Sequence, residues 1–152
     1  TVILEIINRK PVATIQVGNV VKFIDHDGIL FNDEETFTGL PMLKIPQISI
    51  YKNQKVDWRV LKAIAFIEEG VRQNIKIEQI SGSVADNGFT IKLSSGTEIM
   101  LPYTADIGVK ASSLQLIILR FRIEGKNIDR IDFRFDKPVV TLSNGEKISS
   151  TF

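Results

Sequence analysis

Hydrophobic residues recur with a helical period in two segments of the chain. In the first segment, apolar residues spaced one, three or four positions apart follow Asp57: Val60, Leu61, Ile64 and Ile67. Because aspartate is a favoured N-cap residue and glycine a common residue at helix ends, this pattern predicts a helix from Asp57 to Gly70. The second segment, residues 106–122, predicts another helix, although its β-branched residues lower helix propensity.

The other apolar positions alternate or form short runs, which is typical of β-strands. Strands are predicted over residues 1–7, 12–17, 20–24, 29–31, 74–80, 84–93 and 98–101, and in a late segment, residues 127–142. Asp86-Asn87-Gly88 and Ser95-Gly96 predict tight hairpin turns. Pro41 has no backbone N–H to donate, so the segment around it is predicted to be an edge. This order predicts an α+β fold, with two helices packed on a mixed or antiparallel sheet of hairpins.

The late segment alternates most cleanly. Ile131, Phe133 and Phe135 fall on one side of an extended chain, with Arg130, Asp132 and Arg134 on the other. Such alternation predicts a half-buried strand whose aromatic residues face the core.

Composition narrows the possible functions. The chain has 152 residues, of which 43% are apolar, and a net charge of +1 from 19 basic and 18 acidic residues. A balanced charge gives no reason to expect a nucleic-acid partner, and the lack of cysteine excludes disulfides and thiolate chemistry. No apolar run approaches the roughly 20 residues of a membrane-spanning helix. The β-rich start without methionine suggests a fragment, so we expect any targeting or anchoring segment to lie upstream.

The chain's one histidine raises the question of chemistry. His26 lies between Asp25 and Asp27, and the segment reads as a turn that ends in Gly28. In an extended strand Asp25 and Asp27 would both lie on the face opposite His26, so they would not hold the imidazole between them, and a calcium loop starting at Asp25 would need glutamate where Thr36 stands. We therefore favour a turn over a metal site or a catalytic dyad. No nucleophile elbow or phosphate loop is present, and we predict a protein without catalysis.

Arg120-Phe121-Arg122 mixes basic and aromatic residues, as nucleic-acid surfaces do. Acidic residues interrupt the same region: Glu124, Asp129, Asp132 and Asp136. Charge pairing between neighbouring strands on a solvated face is the favoured interpretation.

Four motifs, in order along the chain, resemble one protein family. They are RKPVA (Arg9–Ala13), VKFIDHDGILF (Val21–Phe31), LPML (Leu40–Leu43) and IDRIDFRF (Ile128–Phe135). In this order they resemble the extracytoplasmic part of the bacterial cell-division proteins FtsQ and DivIB.

The resemblance implies a domain organisation and a role. Residues 1–10 would be the last strand of a truncated POTRA domain, and residues 11–152 the β-domain of the family. The parent protein would be anchored in the cell membrane by one spanning helix, with this domain outside the membrane at the division septum. It would be a scaffold that holds the FtsL and FtsB (DivIC) pair, with no cofactor, small-molecule substrate or nucleic acid.

The resemblance also implies a binding site, because in this family a partner adds a strand after the late strand. Eight consecutive residues are predicted to bind the partner: Phe135, Asp136, Lys137, Pro138, Val139, Val140, Thr141 and Leu142. Pro138 is confined to an edge or a bulge, and the β-prone residues after it would form an uncovered edge strand. Phe135 is the predicted anchor, supported by Val140 and Leu142, although alternation alone favours a core position for Phe135.

Three alternatives stay open. Ser143–Glu146 is a hairpin signal, so Lys147–Phe152 could fold back and occupy the predicted edge. The chain could also be another extracytoplasmic binding domain, such as a component of a POTRA-containing transporter. A metal-dependent enzyme with a site at Asp25, His26 and Asp27 is the third.

Overall fold

The computed structural model describes residues 1–6, 8–33 and 37–149, and within them ten strands form one mixed sheet. The helices are α1 (Trp58–Arg72), α2 (Ile107–Ile123) and a short 3-10 helix, Lys52–Gln54. The strands are β1 (Ala13–Val17), β2 (Val20–Ile24), β3 (Leu30–Phe31), β4 (Met42–Lys44), β5 (Ile77–Ser83), β6 (Gly88–Leu93), β7 (Glu98–Pro102), β8 (Ile128–Asp132), β9 (Val139–Leu142) and β10 (Lys147–Ser149). The predicted α+β fold is confirmed.

Two crossovers put both helices on one face of the sheet. The strand order is β10-β9-β8-β7-β6-β5-β4-β1-β2-β3. Helix α1 joins the parallel neighbours β4 and β5, and α2 joins the parallel neighbours β7 and β8. Each connection moves the chain by one strand toward the β10 side of the sheet, and the four strands that they join, β4, β5, β7 and β8, all run in the same direction. Since such crossovers are almost always right-handed, both helices cover the same face.

A row of aliphatic side chains runs beneath the helices across eight paired strands. Neighbouring strands place these residues opposite one another: Ile15, Leu43, Ile80, Ile91, Ile99, Ile131, Val140 and Ile148. The first seven are fully buried, whereas Ile148, at the end of the row, is only partly buried. The row forms the sheet half of the core and ends at β10.

The adjacent row faces away from the helices and is largely polar. It includes Gln79, Lys92, Glu98, Arg130, Thr141 and Lys147. Arg130 donates to Glu98 across two neighbouring strands at 3.1 Å. Charge pairing between strands, which the sequence indicates for this region, is therefore present on the open face.

The first helix begins where its cap residue predicts and ends later. The Asp57 side chain accepts a hydrogen bond from the Arg59 backbone N–H at 3.1 Å, which confirms the N-cap. Gly70 was predicted to end α1 but lies inside it, because the helix runs on to Arg72. A Cβ on Gly70 would lie 2.9 Å from the Ile77 side chain, so glycine allows α1 to pack closely against the following strand.

Both predicted hairpin turns are present. Asn87 has φ 48° in the turn between β5 and β6, and Gly96 has φ 93° in the turn between β6 and β7. Asparagine and glycine tolerate this left-handed region better than other residues, which is why their sequence positions predicted the turns.

Two strand predictions in the first third of the chain are wrong. The segment after Pro41 was expected at an edge, but β4 lies between β1 and β5 and pairs with both. Pro41 is compatible with this position because it precedes the strand, and its carbonyl oxygen accepts the Thr14 N–H at 2.9 Å. Residues 1–6 are exposed and form no strand, since no neighbouring strand pairs with them. Residue 7 of that predicted strand lies outside the described residues.

In the part of the chain that the structure describes, neither α1 nor α2 combines the length and the hydropathy of a membrane-spanning helix.

Candidate partner-binding edge

The predicted edge strand is not an edge. Val139–Leu142 forms β9, which pairs with β8 on one side and with β10 on the other. The expectation of an unpaired ribbon at these residues is wrong, because the hairpin signal at Ser143–Glu146 folds the chain back. The alternative in which the tail occupies this position holds for Lys147–Ser149, and residues 150–152 lie outside the described residues.

Strand β10 is therefore the border of the sheet on this side. Leu142 donates its N–H to the Glu146 carbonyl at 2.9 Å, so Leu142 and Glu146 are a hydrogen-bonded pair of the β9–β10 hairpin. Since hydrogen-bonded pairs alternate along antiparallel strands, Ile148 exchanges its backbone bonds with Val140. The N–H and C=O groups of Lys147 and Ser149 consequently point away from β9, to the side where no further strand lies within the described residues.

The outer flank of Ile148 is apolar and open. Its side chain lies opposite Val140 on the helix-bearing face, as the last member of the aliphatic row. Val140 is fully buried between two strands, whereas Ile148 is partly buried and, in the part of the chain that the structure describes, has a paired strand on one side only. A β-branched or other apolar side chain on an added strand would extend this row.

The predicted site residues occupy two different environments. The Val140 and Leu142 side chains are buried in the core, so they cannot contact a partner directly. Val139 and Thr141 are half-buried on the open face, and Pro138 is half-buried just before β9. The remaining three are exposed in the segment between β8 and β9: Phe135, Asp136 and Lys137.

Phe135 is not a core residue, contrary to what alternation alone favours. Strand β8 ends at Asp132, and the chain bends so that 58% of Phe135 is exposed. Asp132 pairs with Val139, and Val139 pairs with Ser149. The bend after Asp132 therefore lies near Ser149, the last residue of β10. Phe135 is thus an exposed aromatic side chain at one end of the open border.

An ion pair holds the bend in place. Arg134 donates its Nε to Asp132 Oδ1 at 3.0 Å and its Nη2 to Oδ2 at 2.7 Å, and its backbone N–H also bonds Oδ1. Burial raises the pKa of Asp132, but the bonds from Arg134 outweigh burial and hold the pKa below its ordinary value of 3.8. The carboxylate is therefore charged at neutral pH and fixes the direction of the chain that carries Phe135.

A polar basin lies at the other end of the same hairpin. It is lined by the carboxyl-terminal end of α2, the turn after β6 and Ser143, and its cations are Lys76, Arg122 and Lys126. Its one carboxylate, Asp129, accepts a hydrogen bond from the Ser143 hydroxyl at 2.9 Å. The residues that line the basin are therefore net basic, although Lys126 also pairs with Glu124 at 3.1 Å.

The opposite border of the sheet differs. Strand β3 has two residues, Leu30–Phe31, and an aromatic cluster packs beside it. The Phe23 ring centroid lies 5.8 Å from that of Phe31 and 5.2 Å from that of Phe37. So short an edge offers few backbone groups for pairing.

The residues around His26 do not converge on a metal. The Asp25 carboxylate is buried and accepts from the N–H groups of Asp27 at 2.9 Å and Ile29 at 3.0 Å, and from Arg9 at 2.6 Å. The side chains of His26 and Asp27 are exposed, and His26 Nε2 lies 3.4 Å from Asp27 Oδ2. The described residues contain no group of three or more potential metal ligands. Asp25 instead ties Arg9 to the turn, a role that its spacing from Arg9 in the sequence could not reveal.

The basic and aromatic residues of α2 do not form a stacking surface either. Phe121 is fully buried in the core, and Arg120 donates to Glu124 one helical turn away at 3.0 Å.

The fold and its border define an α+β domain whose mixed sheet ends in an open strand. Residues 13–134 match the family described as cell division protein FtsQ/DivIB, C-terminal. The chain belongs to this family, a non-enzymatic family of cell-division scaffolds that function in divisome complexes. The suspected resemblance is confirmed. The match stops before Phe135, so the predicted binding residues lie beyond it, and no curated protein matches the chain.

Proposed function

We propose that this chain is a non-catalytic scaffold module of the bacterial division septum. It acts outside the cell membrane, where it binds a partner pair similar to FtsB (DivIC) and FtsL. The partner adds a strand to β10, so that the ten-stranded sheet gains an eleventh strand at this border. The open backbone of Lys147 and Ser149 is the observation that carries this proposal. Residues 1–10 belong, in the same proposal, to the end of a preceding POTRA domain in a membrane-anchored protein.

The backbone alone supplies too little affinity. Lys147 and Ser149 offer two donors and two acceptors, and four hydrogen bonds at a net 0.5–1.5 kcal/mol each contribute about 2–6 kcal/mol. Association costs roughly 4–15 kcal/mol in lost freedom. Side-chain contacts must therefore provide most of the binding free energy, with the added strand fixing register and direction.

Two apolar contacts support binding at this border. Ile148 has an open outer flank on the helix-bearing face, and an apolar residue opposite it would continue the core row. Phe135 offers an exposed ring where the border ends near Ser149. The expected partner segment is thus extended, with an apolar residue beside Ile148 and a pocket or a second apolar residue for Phe135.

The charge near the hairpin favours acidic residues in the partner. The basin below Ser143 is lined by one carboxylate and three cations, one of which pairs with Glu124, and a partner chain that leaves β10 at this end would pass over it. Charge complementarity of this kind raises association rates and fixes register more than it raises affinity.

The decisive experiment removes one outward donor. Lys147→Pro deletes the outward N–H and leaves the Ile148–Val140 bonds in place, and proline is tolerated at the first residue of an edge strand. The control, Lys147→Ala, keeps the N–H and removes the same charge. A peptide covering the β-prone segment of an FtsB- or DivIC-type protein is titrated by calorimetry against both variants. Lys147→Pro should bind about tenfold more weakly, since one hydrogen bond contributes up to about 1.5 kcal/mol. Equal affinities for the two variants, with unchanged melting temperatures, would refute strand addition at β10.

A further inference from the structure

Helix α2 carries apolar side chains on the face that points away from the core. Four of them are large and exposed: Val109 at 58%, Leu116 at 58%, Leu119 at 48% and Ile123 at 77%. The opposite face packs on the sheet through Ala111, Leu114, Ile117 and Phe121, all at most 1% exposed. A helix that is apolar on both sides is typical of one that is covered on both sides.

The exposed residues form a straight stripe. Val109, Leu116 and Ile123 are seven residues apart, and seven residues return to the same side of a helix with a drift of about 20°. Ser112 and Leu119 lie beside this line with the same spacing. Positions 109, 112, 116, 119 and 123 therefore reproduce the alternating three- and four-residue spacing with which one helix packs lengthwise on another.

We infer that α2 binds α2 of a second copy of this chain, antiparallel, about a two-fold axis at Leu116. This inference is independent of strand addition at β10. An isologous pair requires a surface that complements itself, and the stripe is symmetric about its centre, because Val109 and Ile123 are each seven residues from Leu116. In the pair, Val109 of one copy meets Ile123 of the other.

The residues between these positions also match in size. With Leu116 on the axis, Ser112 of one copy lies opposite Leu119 of the other, so a small residue meets a large one in two equivalent layers. In the antiparallel arrangement the two helix dipoles also point in opposite directions, which is electrostatically favourable. Lys110 of one copy falls on the same flank as Glu124 of the other, whose carboxylate already bonds Arg120 and Lys126 of its own copy, and Arg122 projects on the opposite flank.

The pair should be weak when the domain is alone in solution. A 17-residue helix is about 25 Å long, and one such strip buries less than the roughly 1,200–2,000 Å² of a standard interface. Self-association is therefore expected at high micromolar concentration. Tethering of two copies to one membrane would raise their effective concentration.

The natural absence of cysteine makes the test direct. Two helices packed 8–10 Å apart bring the Cα atoms on the axis to about 5 Å, which suits a disulfide. Leu116→Cys should form a disulfide-linked dimer under mild oxidation. Val71→Cys, exposed on α1 and outside the stripe, should do so at least tenfold more slowly.

Sedimentation equilibrium provides the second readout. The unmodified chain should show a monomer–dimer equilibrium up to about 1 mM, and Leu116→Glu should weaken it at least tenfold, whereas Val71→Glu on α1 should not. A chain that stays monomeric throughout, or equal dimerisation of both glutamate variants, would overturn the inference. Equal disulfide rates for the two cysteine variants would do the same. If Leu116→Glu instead weakens binding of an FtsB- or DivIC-type partner by a monomeric chain, the stripe belongs to that partner and the inference is wrong.

Discussion

Replacing Phe135 by alanine should separate binding from folding. The side chain is 58% exposed, so its truncation removes less than half of the contact of a buried ring and should lower the free energy of unfolding by about 0.6–1.3 kcal/mol. Full burial of a phenylalanine side chain contributes about 1.5–3 kcal/mol. Burying the exposed fraction against a partner therefore contributes about 1–2 kcal/mol, which corresponds to a roughly 5- to 30-fold loss of affinity in Phe135→Ala.

The assay is calorimetric titration with the same FtsB- or DivIC-type peptide, alongside thermal unfolding of each variant. Val71→Ala is the matched control, because Val71 is an exposed apolar residue on α1, far along the chain from the β10 border. It should change neither affinity nor stability. An unchanged affinity in Phe135→Ala would show that the bend after β8 is not an anchor. A large loss of stability would show that the ring packs in the folded domain.

Three further predictions concern stability. Asp132 has a lowered pKa, so its contribution to the free energy of unfolding is present above the unfolded-state pKa near 3.8 and is lost as pH falls below it. The melting temperature of Asp132→Asn should therefore approach that of the unmodified chain between about pH 5 and pH 2. Curves of melting temperature against pH that stay parallel for the two proteins would contradict this. Gly28→Ala places a Cβ 2.5 Å from the Leu61 side chain at φ 77°, whereas the Cβ of Gly18→Ala has no atom within 4 Å at φ 60°. In chemical denaturation Gly28→Ala should therefore lose about 1–3 kcal/mol more of the free energy of unfolding than Gly18→Ala. Equal losses would contradict the packing of this turn on α1. Val140→Ala should cost about 2 kcal/mol of stability at a fully buried site without changing peptide affinity per folded molecule, and a selective loss of affinity would instead place its side chain in the interface.

The sequence predicted much of the fold because its local signals act within a few residues. The cap at Asp57, the turn at Asn87 and the turn at Gly96 form where their residue types indicate. The end of α1 was missed at Gly70, because that glycine serves close packing against Ile77 rather than helix termination. The prediction of an edge at Pro41 failed for a similar reason. Pro41 precedes β4, so the sheet does not require a backbone N–H from it.

The candidate site was predicted less well because an edge is a property of the whole sheet. Val139–Leu142 is β-prone, but its neighbours depend on where the next segment folds. The hairpin signal at Ser143–Glu146 was visible in the sequence and is what moves the edge to β10. Alternation placed Phe135 in the core, because the pattern does not show that the Asp132–Arg134 ion pair ends the strand and turns the chain outward.

Amide hydrogen exchange at the three residues of β10 tests strand addition most directly. In the free domain the Ile148 amide, bonded to Val140, should be protected, and the Lys147 and Ser149 amides, which point outward, should exchange quickly. With a saturating FtsB- or DivIC-type peptide, the Lys147 and Ser149 amides should become protected while Ile148 stays protected. Peptide binding that leaves the Lys147 and Ser149 amides in fast exchange, or that protects the β3 border instead, would contradict the proposal that β10 is where this scaffold holds its partner.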